Sequence, residues 1–303
     1  MQNDRRPYKY AAQVQTNAGV EEHHRSCKVI KRHEHWKSDG SASEPNNFVS
    51  SMICQMDEQL RQCLMSLQRI PGPVERPGLL PLGIPAIDKV LGGGLMRGAL
   101  HEIAAAGEIH LPAAAGFALG LAVCTPSPRL FWITEDMGLA ESGAPHGAGI
   151  DAFGFAPERL VMVSTAHRRD MLWAMEEAVR CRAVGAAIGE MRAGEIGTVA
   201  VRRLSLAAAE NGTLALLLRA TPPNDASTAA TRWIVGTAPS IPGREQSERE
   251  IRSRLTAHLV RNRHGPAGSW ILEWSDNDER FILATHAQPV AAPAFNRSHR
   301  QVA

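Results

Sequence analysis

The sequence lacks the cysteine pattern of a secreted or zinc-binding protein. Its five cysteines are far apart and include no C-x-x-C pair; they are Cys27, Cys54, Cys63, Cys124 and Cys181. Such spacing fits reduced cytosolic thiols better than a disulfide framework or a zinc site. Charge of one sign is not in excess either, because 33 basic residues face 31 acidic ones and the net charge is +2. The net charge is therefore too small to attract the whole chain electrostatically to nucleic acid or to a membrane.

Long hydrophobic runs are absent as well. No apolar stretch approaches the roughly 18 residues that span a bilayer, and the polar start MQNDRRPYKY lacks the apolar core of a signal peptide. The sequence therefore predicts a cytoplasmic protein without a membrane segment. With 303 residues and 44% hydrophobic content, the chain is long enough for one large core or two modest ones.

The first 50 residues are polar and irregular, which predicts a disordered leader over 1–50. Five potential metal ligands occur in this leader: His23, His24, Cys27, His33 and His35. Their spacing matches no recognised ligand set, so a solvated tail is the favoured interpretation and no metal site is predicted.

Residues 51–77 are expected to form a helix followed by a proline-rich linker. Six apolar side chains at alternating intervals of 3 and 4 residues define one helical stripe: Ile53, Met56, Leu60, Cys63, Leu67 and Ile70. The stripe is short for a coiled coil, so it is expected to dock either on the chain's own core or on a partner protomer. Three prolines, Pro71, Pro73 and Pro77, then end the helix and stiffen the linker.

From residue 78 to 240, apolar runs alternate with helix-length stretches. The runs are LHEIAA, RLFWIT, RLVMVS, VGAAIG, TLALLLR and RWIVG. One predicted helix covers Asp170 to Arg182 with Asp170 as its N-cap, and another covers about Thr198 to Glu210 and stops at Asn211-Gly212. Continuous apolar strands that alternate with helices predict an α/β fold with a mostly parallel sheet flanked by helices.

The last part of the chain has a different pattern. RLTAHLVRNR, a turn at HGPAG, SWILEW and RFILA predict an antiparallel hairpin and a third strand within a C-terminal region at 241–285. Residues 286–303 are expected to form a disordered tail.

The segment GIPAIDKVLGGGLMRGALHEI at 83–103 resembles the start of the core of RecA-type recombinases. In those proteins the next residues are G-x-x-x-x-G-K-[ST], whose backbone N–H groups, Lys and hydroxyl hold phosphates and magnesium. Counted without gaps, the four defining positions of that loop are occupied here by Ala105, His110, Leu111 and Pro112.

All four residues are wrong for phosphate binding. The loop has no cation and no metal-binding hydroxyl, and Pro112 removes one N–H donor. Gly107 permits a shift of register by a few residues, but no Lys occurs between Arg97 and Arg129. Since Pro112 suits the first turn of a helix over 112–123, the sequence predicts a strand, turn and helix kept as scaffold.

Two acidic residues match the resemblance at other catalytic positions. LFWITED resembles the strand whose terminal Glu activates water in RecA-type ATPases, which makes Glu135 the counterpart. VGAAIGE stands where the magnesium-linked acidic residue is expected and offers Gly189 or Glu190. An alternative function, a divergent DNA-dependent ATPase with ATP and magnesium as cofactors, would use these two carboxylates; otherwise they are caps and surface charges and no cofactor is predicted.

The DNA-binding loops of the recombinases would correspond to about 191–197 and 220–231. Together they contain one basic residue, Arg192, so strong direct DNA binding is not expected. A basic strand face remains in the C-terminal region, with Arg249, Arg252, Arg254, Arg261 and Arg263. Nearby Glu245, Glu248 and Glu250 favour a solvated face over a DNA site.

The whole pattern from about residue 78 to 284 closely resembles the ImuA family of inducible mutagenesis proteins. The motifs that carry the resemblance are the degenerate loop, VAVRRLSLAAAENGTLALLLR, TRWIVGTAPS and RSRLTAHLVRNRHGPAGSWILEW. The resemblance implies a non-catalytic RecA-like accessory protein of SOS mutagenesis. It also implies that the protein acts together with an ImuB-like inactive relative of Y-family polymerases and an error-prone replicative-type DNA polymerase. RecA is a further candidate partner, and contact with DNA is expected to be weak or indirect.

Ten residues on the helical stripe and the C-terminal hairpin are the candidate partner contacts. Their amphipathic and basic-aromatic patterns motivate this hypothesis. They are Ile53, Met56, Leu60, Leu67, Arg254, Leu259, Arg261, Arg263, Trp270 and Trp274.

Overall fold

The structure is a computed structural model that describes residues 28–30, 60–66, 78–126, 129–192, 194–224, 227–239 and 253–284. Its helices are α1 (60–66), α2 (Pro85–Val90), α3 (Leu111–Val123), α4 (Asp136–Ser142), α5 (Gly147–Asp151), α6 (Arg168–Arg180) and α7 (Thr198–Asn211). Short 3-10 turns cover Glu108–His110 and Pro157–Arg159.

The strands are β1 (Lys28–Ile30), β2 (Leu79–Leu80), β3 (Leu95–Met96), β4 (Leu100–Ala105), β5 (Leu130–Glu135) and β6 (Leu160–Thr165), followed by β7 (Ala186–Met191), β8 (Leu214–Arg219), β9 (Thr231–Ala238), β10 (Arg254–Asn262), β11 (Gly268–Ser275) and β12 (Arg280–Leu283). Each of the six apolar runs in the core sequence forms one of the strands β4 to β9, as predicted.

Ten of these strands form one sheet in the order β1-β6-β5-β7-β8-β4-β9-β10-β11-β12. Neighbours from β1 to β9 are parallel, whereas β9, β10, β11 and β12 are joined in antiparallel pairs. β2 and β3 form a separate two-stranded sheet. The fold class is therefore the predicted RecA-like one, a mostly parallel sheet flanked by helices with a C-terminal antiparallel extension.

The sheet has an apolar core on each face. One core contains Phe117 of α3 together with Ile103, Ile188 and Trp233 of the strands. The other contains the buried sides of α6 and α7 packed on strand residues such as Phe131. Because both faces are covered, alternate side chains of one strand enter opposite cores, which explains the continuous apolar runs in the sequence.

Helix boundaries follow the sequence signals with one correction. Pro112 lies in the first turn of α3, and α7 ends at Gly212 in a left-handed conformation, both as predicted. Asp170 is not the N-cap of α6. His167 holds that place, and Asp170 is the third helical residue with a buried side chain.

Two short pieces of the N-terminal region are described. Lys28–Ile30 lies inside the predicted leader yet forms β1, an edge strand parallel to β6. In α1, Leu60 and Leu64 are buried with the α6 and α7 core, so this part of the apolar stripe docks on the chain's own core. The linker at 71–77 and the tail at 286–303 lie outside the described residues. The proposed domain boundaries stay predictions.

Candidate functional site

The carboxyl ends of the parallel strands β4, β5, β7 and β8 lie along one edge of the sheet, which we call the carboxyl edge. In open α/β sheets, ligands bind in the crevice outside this edge. The loop after β4, residues 106–110, leads to α3 and occupies the place of a phosphate-binding loop. Ala105 is the last residue of β4 and Leu111 the first of α3, so the ungapped register fits the observed strand, turn and helix.

The residues of this loop do not fit a triphosphate or its magnesium ion. Leu111, at the position of the phosphate-binding Lys, is buried, and Pro112 has no N–H to donate. The N–H of Ala106 is bound to the carbonyl of Val235 at 2.7 Å. Glu108 adds an exposed carboxylate to the same loop, which disfavours an anion there.

His110 fastens the loop to the end of β9. Its Nδ1 accepts a hydrogen bond from the backbone N–H of Thr237 at 3.2 Å and lies 3.0 Å from the Thr237 hydroxyl oxygen. The loop also lies against Gly236, where a Cβ would be in van der Waals contact with the Cβ of Ala106 at 3.4 Å. The loop is thus held by protein contacts at the point where RecA-type loops contact phosphate.

The two candidate catalytic carboxylates lie on opposite faces of the sheet. Glu190 pairs in register with Thr134, so it shares a face with Thr134, and the next residue, Glu135, faces the other way. A magnesium-linked acid and a water-activating base must converge on one site. This alternation argues against such a pair.

Each of these carboxylates also has a protein partner. The Glu135 carboxylate lies 3.2 Å from Nε of Arg168, the first residue of α6. The Glu190 carboxylate is buried and accepts a hydrogen bond of 2.9 Å from the indole N–H of Trp132. Burial raises the pKa of Glu190, opposed by that hydrogen bond and by the charge of Arg192.

The segments that correspond to recombinase DNA loops also differ from the expectation. In the first, Arg192 donates to Glu141 at 3.0 Å and to the Ser142 hydroxyl at 2.6 Å. The second runs from the end of β8 to the start of β9, so it crosses to the opposite edge of the sheet. There the N–H of Ala230 donates to the carbonyl of Leu100 at 2.8 Å. The described part of this segment is a crossover connection and not a free loop.

Among the predicted partner contacts that the structure describes, the two leucines are buried and the two tryptophans are half-buried. Leu60 and Leu259 are each 1% exposed, so a partner cannot contact these side chains. Trp270 is half-buried and lies 5.9 Å from Trp233, measured between ring centroids. Trp274 donates its indole N–H to the carbonyl of Ala152 at 2.9 Å. Ile53, Met56 and Leu67 lie outside the described residues.

The three predicted contact arginines all have partners within the chain. Arg254 forms an ion pair with Glu273 on β11. Arg261 donates to the carbonyl of Ser227, and Arg263 donates to that of Thr228 at 3.3 Å. Arg261 and Arg263 nevertheless keep exposed surface. Part of the basic pattern in the C-terminal region therefore anchors the crossover connection.

No pattern in the sequence indicates the ion pair between Glu102 and Arg232, which lies behind this connection. Glu102 on β4 accepts from Arg232 at 2.6 Å and from the Ser227 hydroxyl at 2.6 Å. These residues are more than a hundred positions apart, and only the pairing of β4 with β9 brings them together.

Comparisons with known proteins identify relatives of the chain by sequence. No protein-family model matches the chain. Protein ImuA of Caulobacter vibrioides (strain NA1000 / CB15N) is 30% identical over 221 residues, which cover 68% of this chain and 85% of that protein. The Protein ImuA of C. vibrioides strain ATCC 19089 / CIP 103742 / CB 15 matches to the same extent.

Among solved structures, one described as the crystal structure of the RadB recombinase superposes with a TM-score of 0.47 at 12% identity. That superposition covers 68% of this chain and 100% of the recombinase chain. In the part of the chain that the structure describes, no helix is both long and apolar enough to cross a membrane. The same residues contain no cluster of three or more His, Cys, Asp or Glu side chains suited to a metal ion.

Proposed function

The chain belongs to the ImuA family, and from that membership we propose that it is a non-catalytic RecA-like accessory protein of damage-induced (SOS) mutagenesis. Family membership and fold class support the general role. The finer proposal is that it acts as an adaptor in error-prone translesion DNA synthesis. It would do so in the cytoplasm, and not as an ATPase.

The observation that carries this proposal is the loop after β4. A phosphate-binding loop offers free N–H groups, a Lys and a hydroxyl, and this one offers a buried Leu111, Pro112 and the carboxylate of Glu108. The two acidic residues that would serve an ATPase are separated by the sheet and engaged with Arg168 and Trp132. A fold of this kind without nucleotide chemistry retains its outer surface for protein contacts.

The proposed partners are those of the family. They are an ImuB-like inactive Y-family polymerase relative and an error-prone replicative-type DNA polymerase, with RecA as a further candidate. DNA contact is proposed to be weak or indirect, because the cations at the carboxyl edge are engaged by neighbouring groups. In the C-terminal region, Arg261, Arg263 and the exposed parts of Trp270 and Trp274 remain available for contact.

Nucleotide-dependent thermal unfolding tests the non-catalytic part of the proposal. A ligand present at 100 times its Kd stabilises the native state by about 2.7 kcal/mol, which raises Tm by roughly 5 to 10 °C for a domain of this size. We expect no shift with ATP and magnesium. A shift of that size, together with hydrolysis that is lost in Glu135→Gln, would replace the adaptor by the ATPase alternative.

Direct capture of the ImuB-like protein tests the adaptor part. Purified chain immobilised on a sensor is expected to bind the ImuB-like protein from the same genome without nucleotide. The same measurement with single-stranded DNA should give weak binding that falls steeply with salt, if it gives any. Failure to bind either polymerase or RecA would contradict the adaptor proposal.

A further inference from the structure

Helix α7 exposes two large hydrophobic side chains on the side that faces away from the sheet. Val199 is 72% exposed and Leu206 is 59% exposed. They are seven residues apart in one helix, so at about 100° per residue their directions differ by only about 20°. The opposite side of the helix is buried in the core shared with α6. We call the exposed side, defined by Val199, Arg202, Arg203 and Leu206, the outer face of α7.

This arrangement departs from an ordinary surface helix, whose outward side is polar. Single exposed hydrophobic residues are common and need no explanation. On α7, however, the two side chains lie on one line about 10 Å apart along the helix axis. Among the described residues, no other helix carries two exposed large hydrophobic side chains. A second helix with apolar residues seven positions apart has anchors at the same spacing.

Helix α6 lies beside α7 and adds an aromatic side chain at the same level. Arg203 of α7 lies 2.7 Å from the carboxylate of Glu176 on α6. The two helices run in the same direction, because each joins neighbouring strands of the parallel part of the sheet. The half-buried Trp173 lies three residues before Glu176, and Val199 lies four residues before Arg203. Both are therefore one turn from the same ion pair.

The unpaired charge on the outer face of α7 is positive. Three carboxylates of the two helices lie within 3.5 Å of one guanidinium, that of Arg180; they belong to Glu176, Glu177 and Glu210. Arg202 is exposed and has no ion-pair partner among the described residues. It precedes the residue that turns toward α6, so it lies on the flank of the outer face away from α6.

The order of residues on this face indicates what can cover it. Arg202 and Arg203 lie between Val199 and Leu206, so a helix that covers both apolar side chains must also meet a guanidinium. If α7 packed on a second copy of itself, in either direction, arginines would face arginines, which like-charge repulsion disfavours. A helix with a carboxylate between two apolar residues satisfies the free Arg202 instead.

Nucleic acid is a poorer match for the same surface. Binding to phosphates needs several free cations. Here the carboxylates of Glu176, Glu177 and Glu210 accompany the arginines, and Glu195 is exposed just before α7. Apolar side chains in line with one free cation favour a protein segment.

We propose that the outer face of α7, with Trp173 of α6 beside it, is a docking surface for an acidic amphipathic helix of a partner protein. Two apolar residues of that helix, seven positions apart, cover Val199 and Leu206, and a Glu or Asp between them faces Arg202. This is recognition of a helix through anchors at helical spacing. The ion pair with Arg202 selects an acidic helix over a basic one.

This inference rests on the proposed function only in assuming that the ligand is a protein. Probes of two kinds separate the surface from the identity of the partner. The first is the ImuB-like protein from the same genome. The second is a pair of fluorescein-labelled 18-residue helical peptides with Leu at positions seven residues apart. One peptide carries Glu between the leucines, and the other carries Lys there.

Two variants of α7 with different chemistry test the surface. The double variant Val199→Gln, Leu206→Gln removes the apolar anchors, and Arg202→Glu reverses the free charge. We expect each to weaken binding of the ImuB-like protein and of the acidic peptide by about tenfold or more, measured by fluorescence anisotropy for the peptide. Because the three side chains are exposed and Gln and Glu are good helix formers, folding is expected to be unchanged, which circular dichroism checks.

The basic peptide makes the charge test reciprocal. The unmodified chain should bind it at least about tenfold more weakly than the acidic peptide, and Arg202→Glu should invert this preference. Inversion requires contact between position 202 and the middle of the peptide, which a general loss of stability would not produce.

Matched controls come from exposed positions elsewhere. Ile109→Gln changes a side chain that is 83% exposed in the turn before α3, and α3 packs on the opposite face of the sheet from α7. Arg159→Glu reverses an exposed charge in the 3-10 turn before β6. Both controls should bind each probe within about twofold of the unmodified chain, since neither position belongs to the outer face of α7.

The outcomes distinguish this surface from the proposed function. Loss of both probes in both α7 variants, with an inverted peptide preference, supports the surface. The same peptide results without any binding of the ImuB-like protein also support the surface and contradict the proposed partner. Binding of the ImuB-like protein that persists in both variants overturns the surface and leaves the adaptor role. The surface is also overturned if the unmodified chain does not bind the acidic peptide, if Arg202→Glu does not invert the preference, or if single-stranded DNA displaces the peptide.

Discussion

Substitution of Gly120 in α3 tests how firmly the C-terminal strands are joined to the core. A Cβ at Gly120 would lie 2.2 Å from Cε2 of Phe281 on β12, and 2.9 Å from its Cζ. The Phe281 ring is buried against the rings of Phe117 at 5.7 Å and Trp274 at 5.1 Å, so it has little room to move. Ala at position 120 therefore overpacks this contact.

The expected change in the free energy of unfolding is the difference between two opposing contributions. Overpacking a well-filled core costs about 1 to 3 kcal/mol, whereas Gly→Ala inside a helix stabilises by about 1 kcal/mol. We expect Gly120→Ala to lower the free energy of unfolding by about 1 kcal/mol. In a Phe281→Ala background the clash is absent, so Gly120→Ala should raise the free energy of unfolding by about 1 kcal/mol. The coupling energy of the cycle is then about 2 kcal/mol.

Urea unfolding of the four proteins, followed by circular dichroism, measures this coupling. Gly116→Ala in the same helix is the control, because its Cβ would lie 3.3 Å from Phe153 and can be accommodated by a small shift. It should be neutral or stabilising. If Gly120→Ala stabilised the chain equally with and without the Phe281 ring, β12 would not pack on α3, and the placement of the C-terminal strands would be wrong.

Three further predictions concern buried groups and a strained turn. Burial lowers the pKa of His101 to about 4, below its ordinary 6.5, so the folded state keeps a neutral imidazole. The free energy of unfolding should then fall by about 2 kcal/mol from pH 7 to pH 5, as the unfolded chain gains the proton, and His101→Gln should lose this dependence in urea titrations. Glu102→Gln should destabilise by about 3 kcal/mol in the same assay, because it removes the buried carboxylate that faces the partly buried Arg232 guanidinium; an unchanged midpoint would contradict that role. Gly94→Ala should lower Tm clearly more than Gly92→Ala, since both glycines have positive φ but only a Cβ at Gly94 would meet a backbone carbonyl oxygen, at 2.3 Å.

The core strands and their order of appearance were readable from the sequence. LHEIAA, RLFWIT and the other apolar runs are strands because a parallel sheet covered on both faces needs apolar residues at every position. The C-cap of α7 at Gly212 and the place of Pro112 in the first turn of α3 were also predicted, because these signals depend on the backbone preferences of single residues.

The candidate contacts were predicted less well, for a physical reason. An amphipathic stripe shows that a face is apolar but not what covers it. Leu60 and Leu259 are covered by the chain's own core, and Arg261 and Arg263 bind carbonyl groups of the crossover connection. The exposure of Ile109 and Met137 could not be read from a periodic pattern in the sequence. Ile109 lies in a 3-10 turn, and Met137 lies at the start of the short helix α4.

By itself the sequence determined that the phosphate-binding loop has lost its chemistry, because the identities of His110, Leu111 and Pro112 settle which donors and charges exist there. It also determined the positions of β4 to β9 and the first turn of α3, which follow from local patterns. Only the tertiary structure decided that Glu135 and Glu190 face opposite sides of the sheet, and that Glu102 meets Arg232 across the β4–β9 pair. Those relations depend on strand order and register, which bring together residues that are distant in the chain.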